Sequence, residues 1–214
     1  MGQTLTSGRF ITFEGGEGAG KTTQIGLLAH ALTTSGNDVA TTREPGGSPG
    51  AEEIRHLLLA GAPERWDAES EALLMVAARR SHLVATIWPA LAAGRIVLCD
   101  RFADSTLAYQ GWGRGLARER LDELHRLIAG DFKPALTLIL DLPAAEGLAR
   151  AARRGDATRF ERMPLEFHER LRQGYLAIAA SEPARCVVID ARQDAARVRE
   201  AVLEAVRQRL GVAA

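Results

Sequence analysis

The stretch Gly15-Gly16-Glu17-Gly18-Ala19-Gly20-Lys21-Thr22 fits the pattern Gly-x-x-x-x-Gly-Lys-Ser/Thr at each fixed position, a spacing that cradles the phosphates of a nucleoside triphosphate. The glycines let backbone N–H groups turn inward around the phosphates. Lys21 supplies a point charge for the β and γ phosphates, and the Thr22 hydroxyl is a ligand for Mg²⁺. Eight residues alone can also be a glycine-rich surface turn, so the flanks decide. The run Phe10-Ile11-Thr12-Phe13 before it reads as a strand, and Leu27, Leu28, Ala31 and Leu32 after it share one helical face. Strand, glycine loop and helix in that order are the setting the motif requires.

Outward from this unit, short apolar runs alternate with longer helical patterns. The further candidate strands are Val39 to Thr42, Ile96 to Asp100, Leu136 to Leu142 and Cys186 to Asp190. Two of them, Ile96-Val97-Leu98-Cys99 and Leu136-Thr137-Leu138-Ile139-Leu140, are continuous rather than alternating, as expected where both faces of a sheet are covered. The pattern predicts an α/β fold of three layers, a five-stranded parallel sheet flanked by helices. A long helical region from Asp67 to Ala93 carries Leu73, Leu74, Ala77 and Ala78 on one stripe, continued by Leu83, Ile87 and Leu91, with Pro89 kinking or ending it locally. Other helices are expected near Ala51 to Leu59, Leu116 to Ile128, Ala144 to Arg154, Pro164 to Ala180 and Asp194 to Leu210.

A chain of 214 residues, 46% of them hydrophobic, can bury a sizeable core, and one domain is the expectation. Its 27 basic and 27 acidic residues cancel, so no global field attracts nucleic acid or an anionic membrane. Cys99 and Cys186 lie at apolar runs and lack a metal-ligand spacing, so buried reduced thiols are expected rather than zinc or a disulfide. No long apolar leader and no run of eighteen apolar residues occurs, and a reducing cytoplasm fits best. Met1-Gly2-Gln3-Thr4-Leu5-Thr6 meets the loose pattern for N-myristoylation, but no polybasic segment beside it adds the second membrane signal, and residues 1 to 8 read as a flexible lead-in.

In parallel sheets of this kind ligands bind beyond the carboxyl ends of the strands, and those ends are charged: Glu14, then Arg43 and Glu44, then Asp100 and Arg101, then Asp141. Asp100 closes a hydrophobic strand, the position from which P-loop proteins hold Mg²⁺ directly or through water. Arg101 follows where water-activating ATPases commonly carry a second acid. A planar cation there suits a second phosphate and points to transfer rather than hydrolysis; an Asp-Arg pair that only ties a loop to the sheet is the other reading. Arg150, Arg153, Arg154, Gly155 and Arg159 make either a lid that closes over a migrating phosphoryl group or a solvated basic helix face. The loop Thr42 to Gly47 and the segment Ser105 to Gln110 read as polar loops beside the phosphate ligands, placed to form an acceptor pocket.

Taken together, Phe13-Glu14-Gly15-Gly16-Glu17-Gly18-Ala19-Gly20-Lys21-Thr22-Thr23, Thr42-Arg43-Glu44-Pro45-Gly46-Gly47 and Asp100-Arg101-Phe102 with Ser105 and Ala108-Tyr109-Gln110 closely resemble bacterial thymidylate kinases, over roughly Phe10 to Leu210. The resemblance implies transfer of the ATP γ-phosphate to dTMP on a nucleoside-monophosphate-kinase core, with Mg²⁺, a lid near residues 147 to 162, and a homodimer. It implies that Gly15 through Thr23 hold ATP, that Glu17 takes the acceptor sugar's 3′-hydroxyl, and that Arg101 takes the acceptor phosphate. Arg79 would reach the thymine O4 edge, Thr106 and Gln110 the base's other polar edge, and Arg55 the pocket wall. Tyr109 would stand where a ribose 2′-hydroxyl would intrude, with Glu44 and Ser105 completing the acceptor site. Gly18 holds the P-loop position where some members carry their transition-state arginine, so the chain resembles the members whose arginine comes from the lid, Arg153 first and Arg159 next. It departs from the family in two places: Met75 stands where a phenylalanine usually stacks on thymine, and Thr158-Arg159-Phe160-Glu161 lacks the usual leading aspartate. A kinase for another pyrimidine monophosphate such as dUMP, and a P-loop nucleotide switch that only senses its ligand, are the rival functions.

Overall fold

In a computed structural model of the chain, residues 9–153, 155 and 158–212 are described; the lead-in at residues 1 to 8 and the lid candidate Arg154 lie outside them. The strands are β1 (Phe10–Glu14), β2 (Val39–Arg43), β3 (Ile96–Asp100), β4 (Leu136–Asp141) and β5 (Cys186–Asp190). All pairings are parallel, in the order β2-β3-β1-β4-β5. The continuous apolar runs sit where the covered-sheet argument puts them: β1 is buried throughout and β3 and β4 are buried up to their last residues, whereas the edge strands β2 and β5 are only partly covered. Within this dry centre the hydroxyls of Thr12 and Thr137 satisfy one another at 2.8 Å.

Helix α1 (Lys21–Thr34) follows the glycine loop and buries Ile25, Leu28 and Leu32 on the sheet beside α9 (Ala195–Leu210), whose Val198, Val202 and Val206 complete that layer. On the other face, α8 (Leu165–Ser181) packs Phe167, Leu171 and Tyr175 against Ile139 of β4. Phe10, Phe102 and Phe132 form an aromatic cluster with ring centroids 5.0 to 6.3 Å apart, joined by Leu83, Ile87 and Val97.

The helical region between β2 and β3 differs from its sequence reading in one respect that matters for the site. Helix α3 (Ala68–His82), capped by the Asp67 carboxylate on the N–H groups of Glu69 and Ser70, buries Glu71, Ala72, Val76, Ala78, Arg79 and His82. Of the expected stripe, Ala78, Leu83 and Ile87 are buried, but Leu73 and Ala77 face outward, with Leu73 half exposed. Periodicity marked an apolar face, but the face turned inward is the one whose polar groups find partners. Ahead of Pro89 the chain opens into a π turn over Leu83–Ile87 and resumes as α4 (Trp88–Ala92), so the proline disturbs the hydrogen-bond spacing without ending the helix. The segment around Ser105 to Gln110, read as a loop, is helical: α5 (Ala103–Thr106) runs into a π turn over Leu107–Gly113. That coil puts Thr106, Tyr109 and Gln110 on one buried side. The remaining helices are α2 (Pro49–Leu59), α6 (Arg118–Ala129) and α7 (Ala144–Ala152).

Candidate active site

The glycine loop leaves the carboxyl end of β1, the middle strand of the sheet, where the chain's crossings diverge to either side and open a crevice. Gly15 has φ 128° and a Cβ there would meet the β4 backbone at Leu140, so the tight turn out of the sheet requires glycine. Gly20, left-handed at φ 90°, caps α1. Lys21 folds back on its own loop, its Nζ donating to the carbonyls of Gly15 at 3.1 Å and Gly16 at 2.8 Å. Burial, seconded by the Arg101 cation, pushes the Lys21 ammonium down to about 8 against the pull of Asp100, Glu17 and Glu14. An arriving phosphate reverses that balance, because it supplies the anion that a buried ammonium lacks.

Beside this loop, Phe13 of β1 is in register with Asp100 of β3, and the Thr22 hydroxyl donates to Asp100 Oδ2 at 2.9 Å. A hydroxyl and a carboxylate oxygen are hard donors that suit Mg²⁺. Among the described residues no group of three or more His, Cys, Asp or Glu side chains is placed to cage a metal. The pair thus fits an ion whose shell is completed by phosphate oxygens and water.

Arg101 is the only non-glycine at positive φ (70°) among the described residues, and its neighbours hold it there. Its N–H donates to Phe13 O at 2.9 Å; the next N–H, of Phe102, donates to Glu14 Oε1 at 2.7 Å; and the Ser105 hydroxyl donates to Glu14 Oε2 at 2.6 Å. The left-handed kink swings the guanidinium over the glycine loop. Nη1 donates to Gly15 O and to the Tyr175 hydroxyl, each at 3.0 Å, and Nη2 to Glu17 Oε1 at 3.1 Å. Tyr109 donates to the same Glu17 oxygen at 2.5 Å and lies with its ring centroid 5.0 Å from the guanidinium carbon. Burial alone would raise Glu17, but Arg101, Lys21 and the Tyr109 hydroxyl overcome it and hold the carboxylate down to about 2. Glu14 goes the other way: burial and the nearby Asp104 push it up to about 7, with Ser105 and Arg101 only partly offsetting them.

From this end a cleft of about 440 Å³ extends between the glycine loop and α3. All ten residues assigned to the acceptor line it, as do Thr22, Thr23 and Asp100. At its far end Arg79 is held by Glu44 at 2.7 Å, the Phe102 carbonyl at 3.1 Å and the Thr106 hydroxyl at 2.8 Å, while His82 steadies the other oxygen of Glu44 at 3.0 Å. Arg55 reaches in from α2 with its Nη1 on the Pro45 carbonyl at 2.6 Å. Met75, partly buried, lines the cleft and packs against the apolar cluster that contains Tyr109 and Phe160.

Of the arginines expected to form a lid, the described ones, Arg150, Arg153 and Arg159, do not line the cleft. Arg153 ends α7 exposed and does not line the cleft. Arg159 is corrected as a site residue: it is fully buried, its Nε on Leu58 O at 2.8 Å, Nη1 on Pro63 O at 2.9 Å and Nη2 paired with Glu71. Every arm of its fork is engaged, fastening the turn that carries it to Leu58 of α2, to Pro63 and to Glu71 of α3. Arg150 reaches the Ala191 carbonyl at 3.1 Å, and the neighbouring Arg192 folds onto Asp190 at 2.9 Å.

Three contributors were not assigned from the sequence. Glu14 was noticed only as a strand end, Tyr175 sits inside an ordinary amphipathic pattern, and Glu71 was lost in the charged first turn of α3. An acid in an apolar strand, as Glu14 is, carried the only local signal; the other two depend on which helix packs where.

Comparison with known proteins bears on this arrangement directly. The family model described as thymidylate kinase matches residues 13–202. The thymidylate kinase of Caulobacter vibrioides is 58% identical over 208 residues, covering 97% of this chain and 100% of that protein. That of Ruegeria pomeroyi is 53% identical over 201 residues, covering 94% and 95%. A crystal structure of thymidylate kinase from Ehrlichia chaffeensis is similar with a TM-score of 0.75 at 38% identity, over 91% of this chain and 96% of that one.

Proposed function

The chain belongs to the thymidylate kinase family, and from that premise we propose how its cleft divides the work between two nucleotides. It is a phosphotransferase that moves the γ-phosphate of ATP to dTMP, forming dTDP and ADP. The single observation that carries the division of roles is the Glu17–Arg101 contact at 3.1 Å, which puts an acceptor-only group and a two-pronged cation side by side at the mouth of the glycine loop. A nucleoside monophosphate presents the matching pair, a sugar hydroxyl and a phosphate dianion. Its phosphate takes the Arg101 fork and its 3′-hydroxyl donates to Glu17, so the substrate replaces one internal ion pair with two charge-assisted contacts.

ATP lies on the other side of the loop, its phosphates against the backbone N–H groups from Gly16 to Thr22 and Lys21 between β and γ. Thr22 and Asp100 would hold Mg²⁺, which when bound supplies charge neutralisation at the phosphate oxygens. The acceptor is already an anionic oxygen, so no general base is needed and the protein acts by positioning and by offsetting charge. Arg79, Thr106 and Gln110 read the base edge, Met75 packs on its face, and Tyr109, fastened to Glu17, stands where a 2′-hydroxyl would enter. Lid arginines, Arg153 first, close over the migrating group.

A second copy of the chain covers the outward stripe of Leu73, Ala77 and Val84, which leaves two large side chains half exposed on one helical region. Sedimentation of wild type against Leu73→Asp tests the homodimer: a dimer that the aspartate converts to monomer is expected. The two cysteines are free and buried, which supports a reducing cytoplasmic location. We take the chain as one nucleoside-monophosphate-kinase domain.

The deciding experiment is an acceptor panel, in which dTMP, dUMP, dCMP and TMP with a ribose are each offered with ATP and Mg²⁺ and ADP release is followed. Release that depends on the acceptor and favours dTMP is expected; equal rates with dUMP would shift the reading to a broader pyrimidine monophosphate kinase.

A further inference from the structure

We propose that Glu71 is a specificity-positioning residue: it locks the side-chain amide of Gln110 so that the carbonyl end faces the bound base, and thereby selects a pyrimidine whose ring nitrogen carries a hydrogen. The proposal rests on the reading of Gln110 as a base contact. Glu71 stands in the first turn of α3 with no exposed surface. Its Oε1 accepts from Gln110 Nε2 at 2.8 Å and lies 3.1 Å from Arg114 Nε; its Oε2 pairs with Arg159.

A carboxylate only accepts, so the group of Gln110 that meets it must be the NH₂. That chemistry, rather than an arbitrary assignment, fixes which way the amide points. The opposite end, Gln110 Oε1, is buried and has no partner among the described residues, and Gln110 lines the cleft. An unmet buried acceptor in a binding cleft is unfavourable until a donor arrives. Thymine and uracil bring such a donor at N3. Cytosine brings a lone pair at the same position, which meets the carbonyl oxygen as two acceptors.

An unrestrained glutamine would meet cytosine by turning over. Here turning over would press its carbonyl against the Glu71 carboxylate and leave that carboxylate without one of its donors. Arg114 and Arg159 hold Glu71 from two further sides, so it cannot swing away to accommodate the change. Discrimination by unmatched polar groups in a dry site is far stronger than discrimination by a methyl group.

The test uses the full chain with ATP and Mg²⁺, and measures kcat and KM separately for dTMP, dUMP and dCMP. Glu71→Gln keeps the shape but replaces the acceptor-only group with one that can donate, freeing Gln110 to turn. The dTMP:dCMP ratio of kcat/KM is expected to narrow tenfold or more, mainly through KM, while the dTMP:dUMP ratio stays put because those two share the N3 hydrogen. Glu71→Gln combined with Gln110→Met should show the ratio of Gln110→Met alone. A wild-type dTMP:dCMP ratio in Glu71→Gln, beside a narrowed one in Gln110→Met, overturns the lock. An unchanged ratio in Gln110→Met instead overturns the base-contact reading, and the lock falls with it. Should thermal melting show that Glu71→Gln fails to fold with two arginines stranded, Glu71→Gln with Arg159→Gln removes one buried cation and carries the same expectation. The ratio cancels any effect on the transfer step.

Discussion

Gly18 of the P-loop and Gly147 of α7 touch backbone to backbone: a Cβ on Gly18 would fall inside the van der Waals shell of the Gly147 carbonyl oxygen, and a Cβ on Gly147 inside that of Glu17. A Cβ on Gly18 would also come within 3.1 Å of Arg150 Cβ. Absence of an arginine at residue 18 is thus a packing requirement as well as a functional choice. Helix α7 is thus seated directly on the glycine loop.

Gly147→Ala is expected to push α7 off the loop by a few tenths of an ångström or more, costing about 1–3 kcal/mol of stability, as overpacking does. Because Glu17 is the residue displaced, the KM for dTMP should rise more than the KM for ATP. Thermal melting and separate titration of the two substrates check this. Gly18→Arg should be worse on both counts, since φ 66° adds backbone strain to the clash.

Lys21→Met should separate stability from function. The ammonium is held down to about 8 by burial and by Arg101, so the charge is a burden to the fold at neutral pH. Methionine keeps the buried stem and drops the charge. Melting temperature at pH 7 should hold or rise while turnover falls about a hundredfold or more, the usual loss when one preorganised charge contact to the transition state is removed. Near-normal turnover would sink the role given to Lys21.

The acidic limb of stability should show two opposed contributions. Glu14 is raised from 4.5 to about 7, so the folded state holds its proton where the unfolded chain has lost it; this contribution is full below about 4.5 and is lost as pH rises to about 7. Glu17 is lowered from 4.5 to about 2, so its contribution is full above about 4.5 and is lost as pH falls toward 2. Urea unfolding of wild type and Glu14→Gln at a series of pH values checks the first. Relative to wild type, the variant should gain stability as pH rises from 4.5 to 7. A difference that is flat over that window would refute the raised Glu14.

How far the sequence carried depended on whether a residue's partner was local. The five strands were legible because buried parallel strands are continuous apolar runs, and the phosphate loop because glycine spacing is itself the geometry. Leu73 misled because hydrophobic periodicity cannot say which side of α3 faces the core; that is decided by Arg79 and His82, whose shared partner Glu44 is 35 and 38 residues away, and by Glu71, whose partners Gln110 and Arg159 are 39 and 88 residues away. The Ser105 to Gln110 segment looked like a loop for a related reason. Its helix is held by Glu14 and Tyr175, 91 and 70 residues from Ser105, and no local cap announces it. Arg159 was drawn toward catalysis by the charge of its neighbours, although burial, which the sequence does not display, gives it a structural task.

Arg153 and Arg159 should consequently behave as opposites. Arg159→Ala leaves Glu71 buried with Arg114 as its remaining cation, and the loss of one partner of a buried pair costs about 3–5 kcal/mol. Its melting temperature should drop sharply, and whatever fraction remains folded should have lost base selectivity more than kcat. Arg153 is exposed at the end of α7, so Arg153→Ala should melt within a degree or two of wild type. If it is the arginine that closes over the migrating phosphoryl group, kcat should nevertheless fall about a thousandfold with little change in the KM for dTMP, since an interaction made only in the transition state affects the rate and not ground-state binding. A full kcat in Arg153→Ala would transfer the role to another lid cation, with Arg150, already beside the P-loop, as the next to substitute.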